Sequence, residues 1–204
     1  MDRAMAAQRI SSPRAFSLLE LLIVIALMLI LLALAAPSMS SISQSSRLTH
    51  AAEQVADCLT QAGQKAGTMN REIEIRFVQL NGNSPGLRGI QLWKRTVLPD
   101  GTTTAAPETR LMILPEGISL SSNLSPLVTK AATITGTATF GSNGSCSYRA
   151  IRISPNGRVV ENPDVTRNYV SIVDSRDAAA SALPANNAVV QINAVTGTVT
   201  TYRP

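Results

Sequence analysis

Hydrophobic and polar positions follow three different rhythms along this chain. From Leu21 to Ala36 sixteen apolar residues run without interruption. After a serine-rich stretch (Ser38, Ser40, Ser41, Ser43, Ser45, Ser46) the apolar positions become periodic. Leu48, Val55, Ala62 and Met69 recur at intervals of seven, with Ala52, Leu59, Ala66 and Ile73 beside them. That spacing predicts an amphipathic helix from about Arg47 to Thr68, apolar on one stripe. Its small residues allow close approach to a sheet. From Ile73 the period falls to two, as Ile73-Glu74-Ile75-Arg76-Phe77 shows, and a strand is expected.

Further strands are expected at Gly89 to Trp93, Arg110 to Leu114, Ala132 to Phe140, Tyr148 to Ser154, Tyr169 to Val173, Val189 to Val195 and Thr198 to Tyr202. Turn residues punctuate them: Asn81 to Gly86, Pro99-Asp100-Gly101, Pro155-Asn156-Gly157, and Thr196-Gly197 as a hairpin. Ser175 to Ala188 reads as a surface loop. A long helix followed by antiparallel strands is an α+β arrangement, with the helix packed on an antiparallel sheet or sandwich. The division expected is residues 1–15 as a leader, 16–36 as a membrane and assembly helix, 37–72 as its amphipathic continuation and 73–204 as a β-rich globular domain. Residues from about Arg47 onward number roughly 150, enough for one core without staples, so that part should fold alone.

The apolar block changes the class of protein. Phe16 to Ala36 is 21 residues, long enough as a helix to cross a hydrocarbon core of about 30 Å. Arg3, Arg9 and Arg14 precede it, against Asp2 alone, so insertion with the N-terminus inside is expected. A secretory signal peptide fits, because Ala33-Leu34-Ala35 satisfies the small-x-small cleavage rule. An uncleaved anchor fits too. Neither gains anything from Glu20, an ionisable residue whose burial in lipid costs a few kcal/mol or more and which is functional by default.

Arg14-Ala15-Phe16-Ser17-Leu18-Leu19-Glu20, followed by the apolar helix and Pro37, resembles the prepilin signal of type IV pilins and of the pseudopilins of type II secretion. The resemblance implies cleavage between Ala15 and Phe16 by a prepilin peptidase and methylation of the new Phe16 amine. The residue before the cut is usually Gly; here it is Ala15, also small. When subunits stack, the Phe16 amine of one could meet the Glu20 carboxylate of another, relieving the desolvation each charge suffers alone. A merely solvated Glu20 among lipid headgroups is the plain alternative. Pro37 marks a kink or an end of the helix. Farther on, the chain is similar to the GspH/FimT branch of minor pseudopilins, in which a bent helix packs on a small β-sandwich. The similarity rests on Ile151-Arg152-Ile153-Ser154-Pro155-Asn156-Gly157-Arg158-Val159 and Ala194-Val195-Thr196-Gly197-Thr198-Val199. It implies a structural subunit in the inner membrane, its C-terminal domain periplasmic, that assembles with other pilin or pseudopilin subunits in a pilus or secretion filament.

Candidate chemistry is sparse. No HExxH or CxxC spacing occurs, and no Gly-rich loop follows a strand. His50 lies on the amphipathic helix as a face residue. Glu72 and Glu74 are expected to be solvated or paired with Arg76. No catalytic residue, cofactor or metal is assigned. Cys58 reads as a small buried apolar residue; a disulfide between Cys58 and Cys146 is chemically allowed in an oxidising compartment, as are two free thiols. Some members of the GspH/FimT branch bind DNA, so the basic residues deserve weighing. The whole chain has 18 Lys and Arg against 13 Asp and Glu; without the leader the surplus is three, modest for a phosphate binder. Arg149 and Arg152 are three apart, so a strand sends them to opposite faces. Arg158 sits at a turn, and near the C-terminus Arg203 stands alone. DNA is therefore an alternative partner, not the favoured one.

Overall fold

The computed structural model describes residues 16–80, 86–129, 134–161 and 167–204, with the side chains of residues 34–42 excepted. Two compact units result, residues 1–43 and 44–204. One helix, α1 (Leu18–Met69), contributes to both. Its backbone stays helical through Pro37 and the serines that follow. Proline removes the bond to the carbonyl four residues earlier and crowds that carbonyl, yet the helix does not end there.

In the second unit α1 buries Leu48, Ala51, Ala52, Val55, Leu59, Ala62 and Ala66, the stripe expected from the sevenfold spacing. The helix ends in a Schellman arrangement. Asn70 takes a left-handed φ of 49°, its N–H donates to the Gly67 carbonyl (3.3 Å), and the Arg71 N–H donates to that of Ala66 (3.2 Å). Ile73 therefore leaves the helix and opens the first strand.

Among the described residues ten strands follow: β1 (Ile73–Gln79), β2 (Gly89–Val97), β3 (Thr103–Pro107), β4 (Met112–Ile113), β5 (Ile118–Leu120), β6 (Ile134–Thr139), β7 (Ser145–Ile153), β8 (Tyr169–Asp174), β9 (Ala188–Ile192) and β10 (Val199–Tyr202). A single-turn helix, α2 (Pro126–Thr129), lies between β5 and β6. The strands form two antiparallel sheets. The larger runs β3-β2-β1-β7-β6, with β4 also on β2, and the smaller runs β10-β9-β8-β5. The α+β arrangement of helix on antiparallel sheet is thus present. The main core joins the α1 stripe to Ile73, Ile75 and Phe77 of β1, Ile151 and Ile153 of β7, and Val170, Ile172, Val190 and Ile192 of the smaller sheet.

Several boundaries differ from the sequence expectations. The Arg110–Leu114 run shrinks to Met112–Ile113. Of the Ala132–Phe140 run, residues 132 and 133 lie outside the described residues, as do 81–85 of the first turn. The Val189–Val195 run ends at Ile192, because the Asn193 side chain accepts the N–H groups of Val195 (2.9 Å) and Thr196 (3.1 Å) and turns the chain early. Strand β3 was not expected: it is short, mostly exposed and built of Thr, Ala and Pro, with no apolar alternation.

The turns at Pro155-Asn156-Gly157 and Thr196-Gly197 meet. Gly157 (φ 82°) and Gly197 (φ 71°) both have left-handed backbones, and a Cβ on Gly197 would lie 2.8 Å from the Gly157 carbonyl oxygen. Close by, the Val159 N–H donates to the Ala194 carbonyl (3.1 Å). The contact fastens the end of β7 to the β9–β10 turn.

The two cysteines lie on different sides of the larger sheet. Cys58 on α1 packs against the main core. Cys146 is buried with Val78 and Phe140 in a separate cluster on the other face. Both are free. Of the two alternatives the sequence left open, the structure has the free thiols, Cys58 in the main core cluster and Cys146 in the separate one. Burial, reinforced by the neighbouring Asp57 carboxylate, pushes the Cys58 thiol up to about 12.

Two measurements check this architecture. Gly197→Ala should destabilise the folded domain by about 2 kcal/mol or more, from backbone strain plus the clash with Gly157. Gly101→Ala has the same backbone demand (φ 82°) with nothing within 4 Å of the new Cβ, and should lose only about 1 kcal/mol. Equal losses in urea unfolding would refute the turn contact. Iodoacetamide at pH 8 should leave the folded protein unmodified and label two thiols per chain in denaturant without reductant; no labelling in denaturant would reveal a disulfide.

Candidate functional site

The first unit holds the residues expected from the sequence to be cut, methylated and used in assembly. Ala15 lies outside the described residues, and Phe16 begins the described chain, exposed. Ser17 caps α1: its Oγ accepts the Glu20 N–H (3.2 Å), and its carbonyl accepts the Leu21 N–H (3.1 Å). Ser17 and Glu20 thus have the spacing of a capping box, and a carboxylate in the first turn also opposes the positive end of the helix dipole. The spacing of this cap is legible in Ser17-Leu18-Leu19-Glu20 itself.

Every described apolar side chain beyond the cap is exposed, from Leu18 at 88% through Leu22, Met28 and Leu31 to Leu32 at 69%. Such a surface has no partner within its own unit and requires lipid or neighbouring apolar helices. The described side chains of this run span Leu18 to Ala33, about 24 Å of helical rise. Among the described residues no helix is long and apolar enough to cross a membrane. The run continues in the sequence to Ala36, and the Pro37 side chain also lies outside the description.

In the second unit, charge gathers on the face of the larger sheet that points away from α1. Glu74 and Arg76 alternate with Ile73, Ile75 and Phe77, so the strand sends them to that outer face. They are not solvated. Arg76 Nε bonds Glu74 Oε1 at 2.6 Å, and both side chains are under 10% exposed. The guanidinium is sandwiched between the Trp93 ring (3.7 Å) and the Tyr148 ring (4.2 Å). Phe140 meets both rings edge-on, each centroid 6.1 Å away. Trp93 Nε1 donates to Gln91 Oε1 (3.0 Å), which fixes the indole.

A second group lies where α1 runs into β1. Glu72 Oε2 accepts from Arg95 Nη1 and from Arg152 Nη1, both at 3.1 Å. Arg152 also bonds Glu161 through Nε and, at 2.6 Å, through its backbone N–H. Burial alone would lower the Arg152 guanidinium, but the Glu161 and Glu72 carboxylates outweigh it and hold it above its ordinary value. Glu72, Arg95 and Arg152, together with Arg71, Val97 and Thr103, line a cleft of about 650 Å³.

The remaining candidates are scattered. His50 is exposed and 3.4 Å from Glu53 on the next turn of the helix. Arg149 donates to the Val128 carbonyl (3.1 Å) while Arg152 points to the opposite face, as their spacing required. Arg158 is exposed at its turn. Arg203 folds back onto Ser45 and Thr49. Asp174 bonds Arg176 (3.0 Å) and Gln44, and the Arg176 hydrogen bond holds its carboxyl below the ordinary range despite partial burial. The arginines weighed for DNA are therefore not gathered into one stripe. No group of His, Cys, Asp or Glu among the described residues could hold a metal ion.

Solved structures offer two resemblances. The type IV minor pilin FimU of Pseudomonas aeruginosa PAO1 is 17% identical, with 80% of this chain and 96% of that one covered and a TM-score of 0.44. The minor pseudopilin EpsH of the Type 2 Secretion System of Vibrio cholerae is 12% identical, with 78% and 98% covered and a TM-score of 0.43. No curated protein is similar enough to this chain to count as a relative. Residues 10–36 match the family described as the prokaryotic N-terminal methylation motif, the segment that contains Ala15, Phe16 and Glu20.

Proposed function

We propose that this protein is a structural minor pilin or pseudopilin subunit and not an enzyme. The match of residues 10–36 to the N-terminal methylation motif carries the reading. Prepilin peptidase removes residues 1–15, and the Phe16 amine is methylated. The segment from Phe16 to Ala36 holds the subunit in the inner membrane, with the second unit in the periplasm. Assembly then transfers the exposed apolar side chains of Leu18 to Ala33 from lipid to the helices of other subunits. That exchange keeps apolar surface out of water throughout, so it adds little cost of its own. Pro37, which lacks the N–H that would bond to the Ala33 carbonyl, is where α1 bends to fit its neighbours. The destination is a type II secretion pseudopilus or a type IV pilus-like filament.

Glu20 provides the specificity of that transfer. In apolar surroundings its carboxylate needs a cation, and the Phe16 amine of an adjacent subunit supplies one without adding any residue to the chain.

Two experiments test the reading. N-terminal sequencing or intact mass of the mature protein should place its first residue at Phe16, with the added mass of a methyl group. A first residue at Ala36, following a signal-peptidase cut after Ala35, would overturn the proposal. Glu20→Gln keeps a side chain that can serve at the third position of the helix cap but removes the charge. Leader removal should proceed as in the unaltered protein, while incorporation into filaments falls about tenfold or more, the effect of losing an ion pair worth about 1.4 kcal/mol. Undiminished incorporation would show that Glu20 acts only as a cap.

A further inference from the structure

The exposed edge of the larger sheet joins two features that the scaffold does not use. Strand β3 pairs only with β2, and among the described residues its other edge meets no strand. Natural edge strands are guarded by charge, proline, short length, bulges or cover, because open N–H and C=O groups recruit other strands. Here Thr103-Thr104-Ala105-Ala106-Pro107 carries no charge, Pro107 guards only its far end, and all but the half-buried Ala105 are exposed.

The register identifies which backbone groups are open. Leu98 donates its N–H to the Thr102 carbonyl (2.8 Å), and Glu108 donates its N–H to the Leu92 carbonyl (2.8 Å). Bonded and non-bonded pairs alternate in an antiparallel ladder. Between those two bonded pairs, Thr104 opposite Thr96 and Ala106 opposite Lys94 face inward. Thr103, Ala105 and Pro107 turn their backbone groups outward. Proline at the third of these positions agrees with this phase, since it has no N–H to lose from the ladder.

At the Thr103 end lies the cleft of Arg71, Arg95 and Arg152. Arg95 bonds Glu72 through Nη1, which leaves Nε and Nη2 open. The Arg71 side chain has no hydrogen bond or ion pair among the described residues. Among the described residues three guanidiniums, of Arg71, Arg95 and Arg152, stand against two carboxylates, Glu72 and Glu161, so one positive charge is left over. A surplus of one matches a single carboxylate. A polynucleotide backbone calls for several cations in a row.

We propose that β3 receives an extended segment of a partner protein, added antiparallel to Thr103–Pro107, with a carboxylate at its C-terminal end held by Arg71 and Arg95. Antiparallel addition places the end of the incoming strand beside Thr103, where the cleft is. Strand addition supplies main-chain hydrogen bonds, and the carboxylate selects the ligand and its direction. The surface lies wholly within residues 44–204 and is independent of the N-terminal processing reading.

The test uses the full-length protein in detergent micelles and fluorescence anisotropy. The probe is an N-terminally labelled hexapeptide of alternating Thr and Val with a free C-terminal carboxylate, compared with its C-terminal amide and with labelled oligothymidine. The acid should bind saturably, and the amide about tenfold or more weakly. Ala105→Pro removes one outward N–H without touching the β2 ladder, and Arg71→Ala removes an exposed guanidinium. Each should weaken the acid about tenfold or more with an unchanged circular dichroism spectrum. Absence of peptide binding, equal binding of acid and amide, or full binding by Ala105→Pro would overturn the proposal. So would oligothymidine binding that depends on Arg71 in place of the peptide.

Discussion

The second unit depends on covering one stripe of α1. Leu48, Val55 and Leu59 cannot be hidden by the helix itself, and the small Ala51, Ala52, Ala62 and Ala66 between them leave a shallow surface. A flat partner that fits such a surface is a sheet with its branched residues on one side. Strand β1 provides it directly, because the Schellman turn at Asn70 delivers Ile73, Ile75 and Phe77 into the core within a few residues of the helix end. Strands β2 and β7 are then placed by pairing with β1, and the smaller sheet closes the other side of the core. The register of one strand thereby sets the direction of every side chain across the larger sheet.

The same register forces Glu74 and Arg76 together on the outer face. A buried pair of this kind contributes little net stability, but removing one partner typically costs 3–5 kcal/mol, because the other charge is stranded. Trp93 and Tyr148 on either side of the guanidinium add cation–π attraction, and Phe140 packs edge-on against both rings. A slip of β1 by one residue would put both charges into the main core. The pair therefore penalises the wrong register more than it rewards the right one, a specificity device for a sheet whose apolar residues are otherwise interchangeable.

How much of this was legible in the sequence follows from the range of each interaction. The α1 stripe and the alternation in β1 are local patterns, and both are found where they were expected. The turns at Gly101, Gly157 and Gly197 were legible because a left-handed backbone selects its residue locally. Strand β3 escaped notice because an exposed edge needs no apolar alternation, only a partner strand. The Arg76 sandwich escaped for a different reason: Trp93, Phe140 and Tyr148 are brought together by the pairing of three strands, and nothing in their spacing announces it. The cleft at Arg95 and Arg152 likewise unites residues that are 57 positions apart in the chain. The N-terminal site lies at the other extreme. Its residues are contiguous, and its chemistry is carried by order and not by folding.

That contrast bears on what the protein is for. Wherever a carboxylate in the second unit is drawn out of water, the chain answers it with its own cation: Arg76 for Glu74, Arg152 for Glu161, Lys65 for Glu108 and Arg176 for Asp174. Apolar surface is treated in the same way, since the stripe from Leu48 to Ala66 is covered. In the first unit both demands are left open. Glu20 has only the helix cap for company, and Leu18 to Leu32 have no apolar cover among the described residues. Lipid can meet the apolar demand, but lipid tails offer no cation to Glu20. On the proposed reading, a neighbouring subunit bearing a free amine beside its own apolar helix would meet both demands at once, where an anchor alone would meet only one.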